Sequence, residues 1–138
     1  MDKSLVLSVT VGRGCYRHIQ ISESSTLYAL HEYILSLFNF DDDHLHAFYM
    51  SNRAWDSSSA YASPDDDLDY AVGYTTETKL SYFNLVKGYK FLYLFDFGDE
   101  WRFQIKVLRV LEEKTSRPLL LKSVGEVHQY GYYEEEEE

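Results

Sequence analysis

Tyr89-Lys90-Phe91-Leu92-Tyr93-Leu94-Phe95-Asp96-Phe97-Gly98-Asp99-Glu100-Trp101-Arg102-Phe103-Gln104-Ile105-Lys106-Val107-Leu108-Arg109-Val110-Leu111 is the stretch on which the fold turns. Aromatic and β-branched residues fill both arms, and the Gly98-Asp99 step between them predicts a β-hairpin. Its register is open, and each register builds a different surface. With a two-residue loop, Asp96 faces Trp101, Leu94 faces Phe103 and Leu92 faces Ile105. Phe91, Tyr93 and Phe95 then stand beside Arg102, Gln104 and Lys106, where rings could stack on bases and cations meet phosphates. With a three-residue loop the parity flips. Phe91, Tyr93, Phe95 and Phe97 then join Trp101 and Phe103 in one aromatic core, the plainer reading of so many rings. Gly98 is expected at positive φ, with Asp96 accepting the hydrogen bonds that hold the turn and Trp101 packed inward.

Upstream, Leu5, Leu7, Val9 and Val11 alternate with Val6, Ser8 and Thr10, the period of a half-buried strand. Gly12-Arg13-Gly14 breaks the chain, and Tyr16 to Ile21 alternates again, so a second hairpin is expected. Ser24-Ser25-Thr26 supplies N-cap oxygens for a helix over Leu27 to Phe38, with Leu27, Leu30, Ile34 and Leu37 on one stripe and Glu32 off it. Strand periodicity returns over His44 to Met50. Residues 51–78 are rich in Ser, Asp, Ala and Tyr and read as a long loop, with an acidic cluster at Asp65, Asp66, Asp67 and Asp69 and a short strand near Tyr70 to Tyr74. A helical turn is expected around Leu80 to Val86, and an edge strand over Leu119 to Val124.

The 138 residues carry 45% hydrophobic and 17% aromatic side chains, enough for one core. No apolar run is long enough to span a membrane. Met1-Asp2-Lys3-Ser4 leads straight into strand periodicity and not into a signal peptide. The single cysteine, Cys15, excludes an intrachain disulfide and a thiolate metal cluster and points to a reducing cytoplasm. The formal charge of −10 opposes nucleic-acid binding over the whole surface. The charge is uneven, however. Residues 1–78 hold 4 basic and 12 acidic side chains, whereas residues 79–122 hold 9 basic and 5 acidic. Glu134 to Glu138 read as a solvated acidic tail of little structural weight.

His44 and His46, two apart on a predicted strand, share a face, and Asp41, Asp42 and Asp43 precede them. That pattern can bind zinc, but no third ligand stands at a diagnostic spacing, so no metal and no cofactor are expected. His31 reads as a packed or capping group. Asp96-Phe97-Gly98 spells the magnesium-binding triplet of protein kinases, yet neither the glycine-rich loop nor the catalytic-loop sequence accompanies it. No nucleophile elbow and no phosphate-binding glycine pattern occurs.

Two segments carry a resemblance. Thr26-Leu27-Tyr28-Ala29-Leu30-His31 through Phe38, followed by His44-Leu45-His46-Ala47-Phe48, is one; Tyr93-Leu94-Phe95-Asp96-Phe97-Gly98-Asp99-Glu100-Trp101 is the other. In order and spacing they resemble the plasmid pRiA4b open-reading-frame-three-like family, which is filed with transposon passenger proteins called TnpR-like. The chain departs from the family pattern at Phe103, where many members have His, and lacks the Cys- and Pro-rich stretch that often follows the hairpin. The resemblance implies no established activity.

These readings together predict one α+β domain over residues 1–133, with the loop at 51–78 and the acidic tail at 134–138. A mixed or mainly antiparallel sheet packs on one main helix, in an order compatible with a β-grasp-like arrangement. The expected function is a non-enzymatic binding module of the cytoplasm that meets an unknown protein partner and no membrane, with His44, His46, Asp96, Asp99 and Trp101 as hypothetical binding residues. One alternative is a mobile-element-associated nucleic-acid-binding protein that uses Phe91, Tyr93, Phe95, Arg102, Gln104 and Lys106. A further alternative is a metal-dependent hydrolase around His44, His46, Asp96 and Asp99.

Overall fold

Leu27–Phe38 forms the single α-helix among the described residues, α1. The computed structural model describes residues 3–65 and 71–129; Asp66, Asp67, Asp69, Tyr70 and the tail Glu134 to Glu138 lie outside them. Thr26 caps the helix, its hydroxyl accepting from the Ala29 amide at 3.0 Å. Asn39 ends it in the left-handed region (φ 61°) and donates its own amide to the Leu35 and Ser36 carbonyls. The buried stripe is Leu27, Leu30, His31, Ile34, Leu35 and Phe38. It is wider than the expected one, and Leu37 stands at its margin, partly buried.

Eight strands form one sheet among the described residues: β1 Ser4–Val11, β2 Tyr16–Ser22, β3 His46–Tyr49, β4 Ala60–Ala62, β5 Gly73–Tyr74, β6 Lys90–Phe95, β7 Trp101–Leu111 and β8 Leu119–Val124. Their order is β5-β4-β3-β6-β7-β1-β2-β8, antiparallel throughout except for the parallel pair β4–β5. The architecture is a single α+β domain with an open mixed sheet, as the sequence predicts. The segment read as a loop over 51–78 is partly sheet. Ala60 and Ala62 are small enough to bury completely beneath neighbouring groups, so β4 extends the sheet beside β3.

The hairpin takes the flipped register. Phe95 pairs with Trp101, Tyr93 with Phe103 and Phe91 with Ile105. The turn is set by two left-handed residues, Asp96 (φ 66°) and Glu100 (φ 55°); Gly98, contrary to expectation, is not at positive φ. Asp96 does hold the turn, with Oδ1 accepting from the Gly98 and Asp99 amides at 3.2 Å each. Its backbone reversal sends Phe97 to the opposite face from Phe95. There Phe97 packs near Leu92, Leu94, Ala47 and Tyr49, and so does not join the main aromatic core.

The main core lies between α1 and one face of the sheet. Leu5, Leu7, Val9, Ile19, Ile21, Phe91, Tyr93, Phe95, Phe103, Ile105 and Val107 face the helix with almost no exposure. Burial of a large apolar side chain contributes on the order of 1.5–3 kcal/mol, so this face carries most of the stability. The opposite face has only a small second cluster at the β3–β4–β6 end. Ser4 and Val6 are also buried on that face, whereas Lys90, Arg102, Lys106 and Lys122 are exposed to solvent.

Candidate functional site

Two polar regions stand out, one on each face of the sheet. The first is interior. His31, fully buried on α1, stacks on His46 of β3 with ring centroids 3.7 Å apart and planes 12° from parallel. His31 Nδ1 meets the Tyr93 hydroxyl at 2.5 Å, and Nε2 meets the Asp42 carboxylate at 3.1 Å. His46 Nε2 meets the Thr75 hydroxyl at 3.2 Å. Tyr28 lies tilted against both imidazoles. Burial, and then the neighbouring His31, push His46 down to about 2, so that it is neutral at ordinary pH. This network satisfies buried polar groups between helix and sheet.

The sequence-predicted binding residues are therefore divided. His46 is interior, whereas His44 is at the rim, 3.4 Å from Asp96 and 3.5 Å from Asp43. Asp99 and Trp101 line a separate shallow groove of about 450 Å³ with Val11, Gly12 and Val127. Trp101 is half-buried, with its ring edge-on to Phe40 at 4.9 Å. His44 meets the Asp96 carboxylate, which also accepts from the Asp99 amide. Among the described residues, no group of three or more His, Cys, Asp or Glu side chains is placed to hold a metal ion. Cys15 is buried.

The second region is the helix-free face. Phe91, Tyr93 and Phe95 do not belong to it, because the flipped register turns them into the core; this corrects the composite aromatic and basic surface drawn from the two-residue loop. Arg102, Gln104 and Lys106 do belong to it. Cross-strand pairing places Lys122, His18, Ser8, Lys106 and Lys90 in one row across β8, β2, β1, β7 and β6. The neighbouring row is Tyr16, Thr10, Gln104 and Leu92. Lys90, Lys106 and Lys122 are exposed and have no ion-pair partner among the described residues. Lys122 sits 5.9 Å over the Tyr16 ring and, after burial, is the second cause that lowers the pKa of His18.

The family model for the plasmid pRiA4b ORF-3-like protein matches residues 6–129. The chain belongs to the plasmid pRiA4b ORF-3-like family. Among solved structures, the chain is similar to a protein of unknown function, MM3350 from Methanosarcina mazei Go1, with a TM-score of 0.68 and 24% identity over 89% of this chain and 70% of that one. At that identity the likeness concerns the fold alone. No curated protein matches.

In this pRiA4b ORF-3-like chain the helix-free face also carries a tryptophan that sequence reading passed over. The segment 51–56 crosses the face at Leu92, and Trp55 takes a left-handed backbone (φ 65°) there. Trp55 is 41% exposed, edge-on to Phe97 at 5.2 Å. Asp56 clamps the segment, accepting from the Ser51 hydroxyl at 2.6 Å and the Ser58 hydroxyl at 2.8 Å; these bonds hold its carboxyl at about 2. Gln104 Nε2 donates to Asn52 Oδ1 at 2.8 Å and ties segment to sheet. Between them lies a groove of about 610 Å³ lined by Thr10, Asn52, Arg53, Trp55, Arg102 and Gln104. Arg102 is held by Glu100 at 2.6 Å and Arg53 by Asp56 at 3.5 Å. The sequence did point to Arg102, Gln104 and Lys106 and to the basic excess over residues 79–122, but Trp55 and the lysine row are visible only once the strands are in register.

Proposed function

We propose that the domain is a non-enzymatic binding module of the cytoplasm and that it binds an anionic ligand on the helix-free face of its sheet. One observation carries the reading: in a chain of net charge −10, a like-charged cross-strand pair, Lys90 with Lys106, and a third lysine, Lys122, occupy a single row on the helix-free face. Like charges directly opposite each other destabilise a sheet, so the row is poorly arranged for folding and well arranged for a negatively charged partner. Lys122 on an edge strand also discourages edge pairing, but Lys90 and Lys106 stand on interior strands where that role does not arise.

Retention on a heparin matrix tests the reading. The parent chain should elute at higher salt than a Lys90→Gln, Lys106→Gln, Lys122→Gln variant, while a Lys79→Gln, Lys87→Gln, Arg117→Gln control of equal charge elutes with the parent. If both variants elute together, the face has no special affinity for anions and the proposal fails.

A further inference from the structure

We infer that the anionic ligand of the helix-free face is single-stranded nucleic acid, with the lysine row on its phosphates and Trp55 and Tyr16 stacking on its bases. The inference rests on the anion-binding reading above and adds the aromatic and amide groups, which an acidic protein segment or a sulfated sugar would not need. Phosphate contacts require only Lys90, Lys106 and Lys122. Those three positions extend over five adjacent strands, about 19 Å at the usual strand spacing. One row away stand two rings. Tyr16 faces solvent partly on β2, and Trp55 rises from the loop at the other side of the Thr10–Gln104 pair.

Trp55 is a conformational outlier. A bulky residue at φ 65° is costly, and such strain persists only where the surroundings impose it. Here Asp56, Phe97 and the Asn52–Gln104 bond fix the loop and leave two-fifths of the indole in solvent beside Arg102 and Arg53. An indole held rigid next to guanidiniums is a stacking platform for a planar ring. Asn52, Gln104 and Thr10 supply groups that can meet base edges in the same groove.

Shape selects the single strand. Duplex grooves are read by a projecting helix or ribbon, and this face is a broad sheet with α1 on the other side. Unpaired bases, by contrast, can lie flat on a sheet that presents aromatic rings.

Fluorescence anisotropy with a labelled oligothymidylate of about twelve nucleotides, compared with the same length of duplex and with heparin, tests the inference. The expected result is binding of the oligothymidylate in preference to the duplex, with a slope of log affinity against log salt near −2, the value for about three phosphates on a single strand. Trp55→Ala should weaken the oligothymidylate roughly 5- to 100-fold and leave heparin retention unchanged. Tyr16→Ala, on the other side of the groove, provides the same readout should Trp55→Ala misfold. Heparin binding that depends on the lysines, with no preference for the single strand and no effect of either ring, would overturn this inference and leave the anion-binding face standing. Loss of lysine dependence altogether would remove both.

Discussion

Acid should unfold this domain through His46, and a His46→Gln substitution should blunt the effect. In the folded chain His46 lies against His31, Tyr28 and the Thr75 hydroxyl, and burial first and His31 second bring it down to about 2 from an ordinary 6.5. The unfolded chain therefore binds a proton that the folded chain refuses, and stability is lost as pH falls below 6.5 toward about 2. Each pH unit within that window costs about 1.4 kcal/mol. Between about pH 7.5 and pH 4.5 the loss amounts to roughly 3 kcal/mol from this one group, a large share of the 5–15 kcal/mol typical of a domain. Gln retains an amide for Thr75 and does not titrate. Urea unfolding followed by tryptophan fluorescence at several pH values, for parent and variant, isolates the term, because the surface carboxylates titrate alike in both. The variant should be weaker than the parent near neutral pH and should close or reverse that gap by roughly 3 kcal/mol near pH 4.5. Parallel pH profiles would refute the reasoning: His46 would then take up its proton inside the folded protein.

Three further outcomes follow from the turn, the edge and the rim. Asp96→Ala should cost about 2 kcal/mol in chemical denaturation, since Ala at φ 66° is strained and the Gly98 and Asp99 amides lose their acceptor, whereas Gly98→Ala should cost less than about 1. Gly125→Ala should free β8, because its backbone is at φ 76° and a Cβ would lie 2.4 Å from the Gly14 carbonyl; faster amide exchange over Leu119–Val124 with slow exchange retained in β1 and β7 would show this. Trp101→Ala should cost about 2–3 kcal/mol, below the range for a fully buried ring, as its indole is half-buried against Phe40; a cost near zero would place the ring wholly in solvent.

Periodicity made the helix, both hairpins and the last strand readable, because Leu27 to Phe38 and Leu5 to Val11 repeat at the spacings of the elements they form. Parity of the late hairpin was not readable. It depends on left-handed backbone at Asp96 and Glu100, residues that adopt it less readily than the glycine between them, and on the Glu100 amide closing onto the Asp96 carbonyl at 2.6 Å. From that single choice follow the burial of Phe91, Tyr93 and Phe95 and the placement of exposed Arg102 and Lys106 and half-buried Gln104 on the opposite face. His31 gave no sign of its importance because its partners, Tyr93, Asp42 and His46, come from three separate segments. β4 was hidden because Ala60-Tyr61-Ala62 has none of the β-branched residues that mark a strand.

A sheet that commits one face to a helix and keeps a charged, exposed row on the other separates two kinds of heritable change. Substitutions at Phe91, Phe103 or Ile105 are judged by whether the chain still folds, since those side chains fill space that nothing else can fill. Substitutions at Lys90, Lys106 or Lys122 remove no packed atoms, so they are judged by what the surface meets. A lineage built on this frame can change the character of its exposed face by single steps, each of them a folded protein, without passing through an unstable intermediate sequence.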